Sequence, residues 1–433
     1  MSFSIPFSKI TGELKKHIEK RCTVKGNLNQ YTQETPTMEV FEVDDRTQTV
    51  RLPLGLWKEF YNKFPNDKLF KSHTEEKHHF YGEFKTAKTD QRKRDQDVVF
   101  PFALEKLKRD RTVMLNLFTG YGKTFGGIYL ASQLGGKALL ISHVCAVHKQ
   151  WAESAEQFSS FSPQIIGTNK KVDPECNFFI LGIQKCLNMK TSDFPPITTI
   201  MYDEAHIAKE SAVQVLMRFS PKYLIGLSAT PDMGRDGFHR ILPLFFGEEK
   251  EFITRIEKKP FIVRKINTPF RPAVQQKILF GKKVLDWNFI EHQIEEVCYE
   301  RVEFVCNILV EDAYLSDPMI VLCKRVAQAK NIAKWLERNG QSVDIYTGDK
   351  KEYDRTKRIL VTTVKKGGTG LNDERFRILA LCSTISDIRQ NEGRIRTINN
   401  TILDFVDNLP VFENQWEKRS EWYRLKGAKI IIT

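Results

Sequence analysis

An α/β architecture is what this sequence predicts: two parallel-sheet units in tandem, preceded by a small β-containing N-terminal piece. Three observations predict it. Short apolar runs alternate with helical stretches from about Gln96 onward, the alternation pauses once and resumes, and residues 1–85 carry a different pattern. Strands that are apolar on both faces and interleaved with helices belong to a parallel sheet covered on both sides.

The first series places strands at 113–117, 137–142, 176–181, 198–202 and 223–227, with a helix at 125–134. Residues 283–313 read as one long helix, because Phe289, Ile290, Ile294, Val297, Val305 and Ile308 fall near helical spacing. The second series places strands at 319–323, 343–346, 358–362 and 377–381 and a helix at 327–338. A last strand at 401–405 precedes a helix through Trp416, Trp422 and Leu425. Near the N-terminus, 40–45 and 48–53 alternate about a polar turn and predict a hairpin. The segment 71–93 is dense in Lys, His, Glu and Arg and reads as a linker or solvated segment. The expected domains are therefore 1–85, an accessory piece; 86–255, the first α/β unit; 256–315, a connecting helical segment; and 316–433, the second α/β unit.

At about 150 residues per domain, 433 residues hold two or three domains. With 41 % hydrophobic and 28 % charged residues, a coiled-coil rod, a collagen-like chain and a largely disordered chain are excluded. No stretch approaches the roughly 18 uncharged apolar residues of a membrane span, and the first residues lack the apolar core of a secretory signal. The expectation is a soluble intracellular protein with no membrane partner. Sixty-seven Lys and Arg against 54 Asp and Glu give a formal charge of +13, which favours a polyanion partner, nucleic acid first. The eight cysteines show no zinc-knuckle spacing and read as free thiols of a reducing compartment. His78 and His79 are adjacent but lack a companion ligand, so they read as part of a polar loop.

The strongest local feature is Thr119-Gly120-Tyr121-Gly122-Lys123-Thr124, set between a strand and a helix. Its glycines let the backbone turn so that successive amides and the helix N-terminus face phosphate oxygens. Lys123 would reach the β- and γ-phosphates, and the Thr124 hydroxyl would bind Mg²⁺. Leu117 stands where the general phosphate-loop pattern has its leading Gly, so a plain glycine turn before a lysine is the competing reading. Eighty residues beyond Lys123, Asp203-Glu204-Ala205-His206 ends an apolar strand. Two adjacent carboxylates at a strand end are costly unless a cation or a reaction uses them. Asp203 would hold Mg²⁺, and Glu204 would act as general base on the attacking water.

Together with Ser228-Ala229-Thr230-Pro231, these residues resemble the superfamily 2 helicases, whose phosphate loop reads Thr-Gly-x-Gly-Lys-Thr without the leading Gly. The run from Gly226 to Pro231 followed by Arg235-Asp236-Gly237 is similar to the XPB-like and UvsW-like branch, which includes helicases of large DNA viruses and a poxviral transcript-release factor. The resemblance implies two tandem RecA-like domains, with ATP and Mg²⁺ bound between them. Residue by residue, it implies that Gln96 reads the adenine edge and that Ser142-His143, with Gln150-Trp151 after them, and Gly182-Ile183-Gln184 contact nucleic acid. His206, Ser228 and Thr230 are implied to couple the γ-phosphate site to domain movement. Thr362-Thr363 and the glycine run containing Gly370 resemble the motif that touches both nucleic acid and nucleotide; Asn372 stands where many relatives have Asp. Gln390 to Thr397 resembles the last motif, whose second arginine would fall at 397. That residue is Thr, and at about 100° per helical residue Arg394 and Arg396 point roughly 200° apart. Arg394 is the expected arginine finger, with Arg396 the alternative.

The implied activity is that of an ATP-dependent nucleic-acid motor that translocates on or unwinds DNA, with DNA ahead of RNA. Two alternatives stand beside it: a duplex translocase that releases transcripts or remodels complexes without separating strands, and a binding module that has lost ATPase turnover. The hairpin at 40–53 is a candidate for gripping duplex. Transcription or replication machinery is the implied partner class. The implied compartment is nucleus or cytoplasm, or host cytoplasm, viral factory or virion for a viral protein.

Overall fold

The computed structural model describes the whole chain except residues 28–34, 62–75, 144, 168–170, 207–209, 230–237, 280–281, 295–297, 312–313, 349, 351, 369–372, 374, 384, 386–387 and 389–399. It divides into two compact units, 1–255 and 256–433.

The first unit opens with β1 (Ser2–Pro6), α1 (Gly12–Cys22), β2 (Thr23–Lys25), β3 (Thr37–Glu39), β4 (Glu42–Asp44), β5 (Thr49–Pro53) and α2 (Trp57–Tyr61). β4 and β5 form the hairpin that their alternation predicts, and β1 adds to the far edge of β5. Then come α3 (Gln96–Asp110), β6 (Thr112–Leu117), α4 (Lys123–Leu134), β7 (Lys137–Ser142), α5 (His148–Phe158), β8 (Pro163–Ile165), β9 (Phe178–Gly182) and α6 (Ile183–Asn188). β10 (Ile197–Asp203), α7 (Glu210–Arg218), β11 (Tyr223–Ser228), α8 (Leu242–Phe246) and β12 (Ile253–Arg255) complete the unit. Its seven-stranded sheet runs β12-β6-β11-β10-β7-β9-β8, and every pairing is parallel.

All seven residues of β10 and all six of β11 are buried, which is why both read as unbroken apolar runs. Side chains alternate between the two faces. Leu139, Ile141, Phe179 and Leu181 join one core, which also takes in Phe3, Ile5, Leu52 and Phe60 of the N-terminal piece. Ala138, Leu140, Phe178 and Ile180 join the other, with Phe100 and Trp151. The N-terminal strands thus share that core and bond to the end of α7: Ser2 N–H donates to Phe219 O at 2.8 Å and Arg51 Nη2 to Arg218 O at 2.8 Å.

The second unit holds β13 (Phe261–Asn267), β14 (Gln276–Leu279), β15 (Lys282–Leu285), α9 (Trp287–His292), α10 (Tyr299–Leu309), β16 (Met319–Cys323), α11 (Val326–Arg338), β17 (Val343–Tyr346) and β18 (Ile359–Thr363). α12 (Val364–Gly368), β19 (Ile378–Leu381), β20 (Asn400–Val406), α13 (Pro410–Leu425) and β21 (Ala428–Ile432) follow. Its sheet, β17-β18-β16-β19-β20-β13-β21, is again seven-stranded and parallel throughout. Among the described residues, no helix is long and apolar enough to cross a membrane.

Three local expectations are corrected. The long helix over 283–313 is two helices: Asp286 caps α9 through the N–H groups of Asn288 and Phe289, and Cys298 takes extended backbone angles before α10. Residues 256–315 also contribute β13 to the sheet, between β20 and β21. The described part of 71–93 lies against the first unit, because Phe80 and Phe84 pack edge-on to Tyr129 and His78 is buried with its Nε2 2.9 Å from Gly136 O. High charge density there hides an aromatic anchor.

The second unit is tied by two buried ion pairs. Arg301 donates to both oxygens of Asp407 at 2.8 and 2.9 Å, each side chain about 1 % exposed, and Arg419 donates to both oxygens of Asp404 at 2.8 Å. Removing one member leaves a buried charge unanswered, which costs about 3–5 kcal/mol. Asp407→Ala is therefore expected to lower the urea midpoint of the unit that carries Trp287, Trp335, Trp416 and Trp422, read by fluorescence, while Arg301→Met with Asp407→Leu recovers most of the loss. An unchanged midpoint in the single variant would show that the pair is not load-carrying.

Candidate nucleotide site

Strand order decides where the chemistry collects. β6, β11 and β10 are adjacent in that order, so their C-terminal ends stand side by side, with β6 and β10 roughly 10 Å apart. Leu117 ends β6 and opens the phosphate loop, Ser228 ends β11 and Asp203 ends β10. Asp203 is in register with Ser142 of β7, and Ser142 with Gly182 of β9. Open α/β sheets place ligands at the carboxyl ends of their strands.

The loop itself is shaped by Gly120 at φ 82° and Gly122 at φ 110°, left-handed values that glycine adopts without a Cβ penalty. Lys123 and Thr124 begin α4, so the helix N-terminus lies at the loop. Lys123 Nζ donates to Leu117 O at 3.1 Å. Three successive carbonyls on the loop are capped from one side: Thr119 O by Arg92 Nη2 at 2.8 Å, Gly120 O by Arg94 Nη1 at 2.9 Å and Tyr121 O by Gln96 Nε2 at 2.6 Å.

Asp203 is buried, and burial first, then the neighbouring Glu204, pushes its carboxyl well above the usual range. The Trp151 indole N–H, donating to Oδ2 at 3.0 Å, the Lys123 ammonium and the Glu204 N–H, donating to Oδ1 at 2.9 Å, pull the other way. Glu204 sits at φ 54°, a left-handed value uncommon for a non-glycine residue. Its Oε2 lies 3.2 Å from His206 Nδ1, which is also 3.2 Å from Ser228 Oγ. The strand-end pair, His206 and Ser228 thus form one connected set. A buried carboxylate at the end of β10 and a hydroxyl on the first turn of α4 are the hard-oxygen donors that Mg²⁺ takes, with phosphate and water completing the set. The residues present fit a magnesium-bound triphosphate.

Other expected site residues are distributed less simply. Gln96 is 4 % exposed and its amide is engaged at both ends, Nε2 on Tyr121 O and Oε1 accepting Lys85 N–H at 2.9 Å. The Tyr121 side chain is buried against Phe100 and Phe118 and donates to Asp95 Oδ1 at 2.8 Å, so only its backbone belongs to the loop. Ser142 is fully buried, His143 Nε2 lies 2.7 Å from the Tyr202 hydroxyl, and Gln184 is exposed on the first turn of α6. Trp151, expected beside a nucleic-acid contact, is buried and holds Asp203 instead. In the second unit Thr362 and Thr363 end β18; the Thr362 hydroxyl is turned inward onto Tyr346 O at 2.6 Å, while the Thr363 hydroxyl accepts from Lys366 N–H at 3.4 Å on α12. Thr230, Gly370, Arg394 and Arg396 lie outside the described residues.

Sequence reasoning missed Arg92, Arg94 and the Asp95–Arg255 pair, in which Arg255 Nε and Nη2 reach Asp95 at 2.9 and 2.8 Å. No periodicity marks them: Arg92 sits in a turn, Lys93 takes φ 55° and Gln96 already begins α3.

A phosphate loop facing a strand-end Asp-Glu pair defines a RecA-like nucleotide-binding protein, here with two such sheets in tandem. Residues 85–233 match the family described as the type III restriction enzyme, res subunit. A protein of Frog virus 3 (isolate Goorha) that carries the name helicase 055L is 31 % identical over 333 residues, covering 73 % of this chain and 74 % of its own. Helicase 161L of Invertebrate iridescent virus 6, so named on the same footing, is 28 % identical over 369 residues, 78 % of this chain and 81 % of its own. The DNA 3'-5' translocase XPB2 of Sulfurisphaera tokodaii is 25 % identical over 142 residues, 33 % of this chain and 31 % of its own. The chain belongs to the superfamily 2 helicases, in their viral form.

The backbone at Glu204 yields a test that needs no ligand. A left-handed non-glycine residue costs about 1–2 kcal/mol, so Glu204→Gly is expected to raise stability by up to about 1 kcal/mol after the flexibility of unfolded glycine is offset. Denaturant unfolding measures it; a lower midpoint would show that the Glu204–His206 contact outweighs the strain.

Proposed function

We propose that the chain is a nucleic-acid-stimulated ATPase that uses hydrolysis to move along DNA. The observation that carries this reading is the meeting of Lys123 and Thr124 with Asp203 and Glu204 at one edge of a parallel sheet. Lys123, the loop amides of Gly120 and Gly122 and the N-terminus of α4 bind the phosphates of MgATP. Thr124 and Asp203 hold the substrate's magnesium, which neutralises phosphate charge. Glu204 stands one residue beyond the buried Asp203 and is half-exposed, the better placed of the two to take a proton from water. His206 and Ser228 tie Glu204 to the end of β11, so a change at the γ-phosphate passes to a second strand end; Thr230 is assigned to the same coupling by its motif. Arg394, with Arg396 as alternative, answers charge on the phosphoryl group in transfer.

Ser142, His143, Gln184, Thr362, Thr363 and Gly370 are assigned to the nucleic-acid track, with Gln184 the side chain openly presented. Contacts of this kind grip the backbone and leave sequence unread. DNA is preferred over RNA as the track because a relative sharing part of the chain is named a DNA translocase; movement along duplex without strand separation is the second reading.

Steady-state ATPase with single-stranded DNA, duplex DNA and RNA tests the proposal. DNA is expected to stimulate hydrolysis, and Lys123→Ala to lower kcat by about 10²–10³-fold. Glu204→Gln should keep nucleotide binding and lose about 10²–10⁴-fold in turnover. Loss of about 10³–10⁵-fold in Arg394→Ala but not in Arg396→Ala would assign the finger. Hydrolysis by the unsubstituted chain no faster than by Lys123→Ala would overturn the reading. DNA affinity is expected to fall as salt rises, because phosphate contacts release counterions; an affinity unmoved by salt would count against a backbone-tracking surface.

A further inference from the structure

Three side chains of one short segment hold three successive carbonyls of the phosphate loop. Arg92, Arg94 and Gln96 are two residues apart, and they cap Thr119 O, Gly120 O and Tyr121 O in the same order. The approach is close, and both loop glycines also take the left-handed φ that favours glycine. A Cβ at Gly120 would lie 2.3 Å from Arg92 Nη1, and one at Gly122 would lie 2.5 Å from Gln96 Nε2.

The segment is itself braced from behind. Arg94 Nε donates to Asp90 Oδ2 at 2.8 Å, and Asp90 also accepts the backbone N–H groups of Arg92 and Arg94. The Arg92 guanidinium lies over the Phe118 ring at 5.0 Å. Lys85 and Gln96 exchange backbone and side-chain bonds, Gln96 N–H to Lys85 O at 2.9 Å and Lys85 N–H to Gln96 Oε1 at 2.9 Å.

Reading a base edge in the bidentate way needs the donor and the acceptor of one amide together, and such a pair is worth roughly 5- to 150-fold between right and wrong bases. Gln96 has both ends on the protein backbone and is nearly buried.

We propose that residues 92–96 are a clasp that presets the phosphate loop and not a reader of the base, so that the chain recognises its substrate by the triphosphate and discriminates little among ATP, GTP, CTP and UTP. This rests on the nucleotide site proposed above and extends it to substrate class. Arg92, Arg94 and Gln96 are positioning residues. By drawing three carbonyls to one side they leave the loop's amides and the N-terminus of α4 facing the phosphates, without rearrangement on binding.

Competition binding on the full chain with Mg²⁺ tests this without requiring turnover. A fluorescent N-methylanthraniloyl-ADP probe is displaced by ATP, GTP, CTP, UTP and inorganic tripolyphosphate. The four triphosphates are expected to bind within about fivefold of one another, below what a bidentate base contact usually gives. Arg94→Ala and Gln96→Ala should each weaken all five competitors by one common factor, about tenfold for the charge-assisted Arg94 bond and about threefold to tenfold for the neutral Gln96 bond, with stoichiometry unchanged. Unchanged stoichiometry separates a weakened grip from a misfolded fraction. Preference for ATP over GTP beyond about 20-fold overturns the proposal, and its loss in Gln96→Ala with tripolyphosphate binding unmoved would make Gln96 a base reader. Affinities unaltered by both substitutions also overturn it. Failure of every competitor and of the probe to bind would instead refute the nucleotide site itself.

Discussion

A carboxylate at the end of a strand buried along its whole length is the constraint around which the first unit is organised. Burial alone disfavours the ionised form of Asp203, and Glu204 next to it adds like charge. The protein answers with an indole N–H, a backbone N–H and the Lys123 ammonium, drawn from α5, from the turn after β10 and from the head of α4. Each of those donors is fixed by packing: Trp151 is buried against the sheet, and Lys123 begins a helix whose entry is set by two left-handed glycines. Moving any one of these elements leaves Asp203 with less compensation, so the site's geometry and the unit's stability are bound to the same contacts.

Strand order is what allows that arrangement. Because β11 lies between β6 and β10, one strand separates the phosphate loop from the Asp-Glu pair, and the end of that strand supplies Ser228. His206 bridges the gap by facing both Glu204 and Ser228. A sheet with β6 next to β10 would bring the loop one strand closer to Asp203, and one with two strands between them would take Asp203 away from the Lys123 ammonium that offsets its charge.

Much of this was legible in the sequence. Doubly buried strands appear as unbroken apolar runs, so β6, β7, β10, β11, β16 and β18 were placed within a residue or two, and the loop and strand-end motifs followed from their position between elements. The parts that were not legible depend on contacts distant in sequence or on one capping residue. Arg92 and Arg94 act on backbone carbonyls more than 25 residues away, which no composition or periodicity records. Trp151 was grouped with a nucleic-acid motif by resemblance, whereas its indole is buried and donates to Asp203. The segment 71–93 looked solvated because its charges outnumber Phe80 and Phe84, although those two rings decide where its described part lies. In the region 283–313, helical spacing continued across a break that Asp286 and the extended backbone of Cys298 impose.

The second unit solves a related problem by different means. Its strand-end loop after β19 is held by carbonyl capping as well: Cys382 O accepts from Arg301 Nη2 at 3.0 Å and Gln328 Nε2 at 2.8 Å, and Ile385 O accepts from Arg419. Both arginines are buried and paired with Asp407 and Asp404, so the N–H groups that reach Cys382 O and Ile385 O are aimed by a rigid fork that a lysine would not provide. In each unit, then, cationic or amide side chains seize backbone carbonyls at the C-terminal edge of the sheet, in one case around the phosphate loop and in the other at the root of the segment that leads to Arg394. Buried pairs of this kind add little net stability over an apolar substitute, and their advantage is directional. They hold main-chain segments at the C-terminal edge of each sheet in one arrangement.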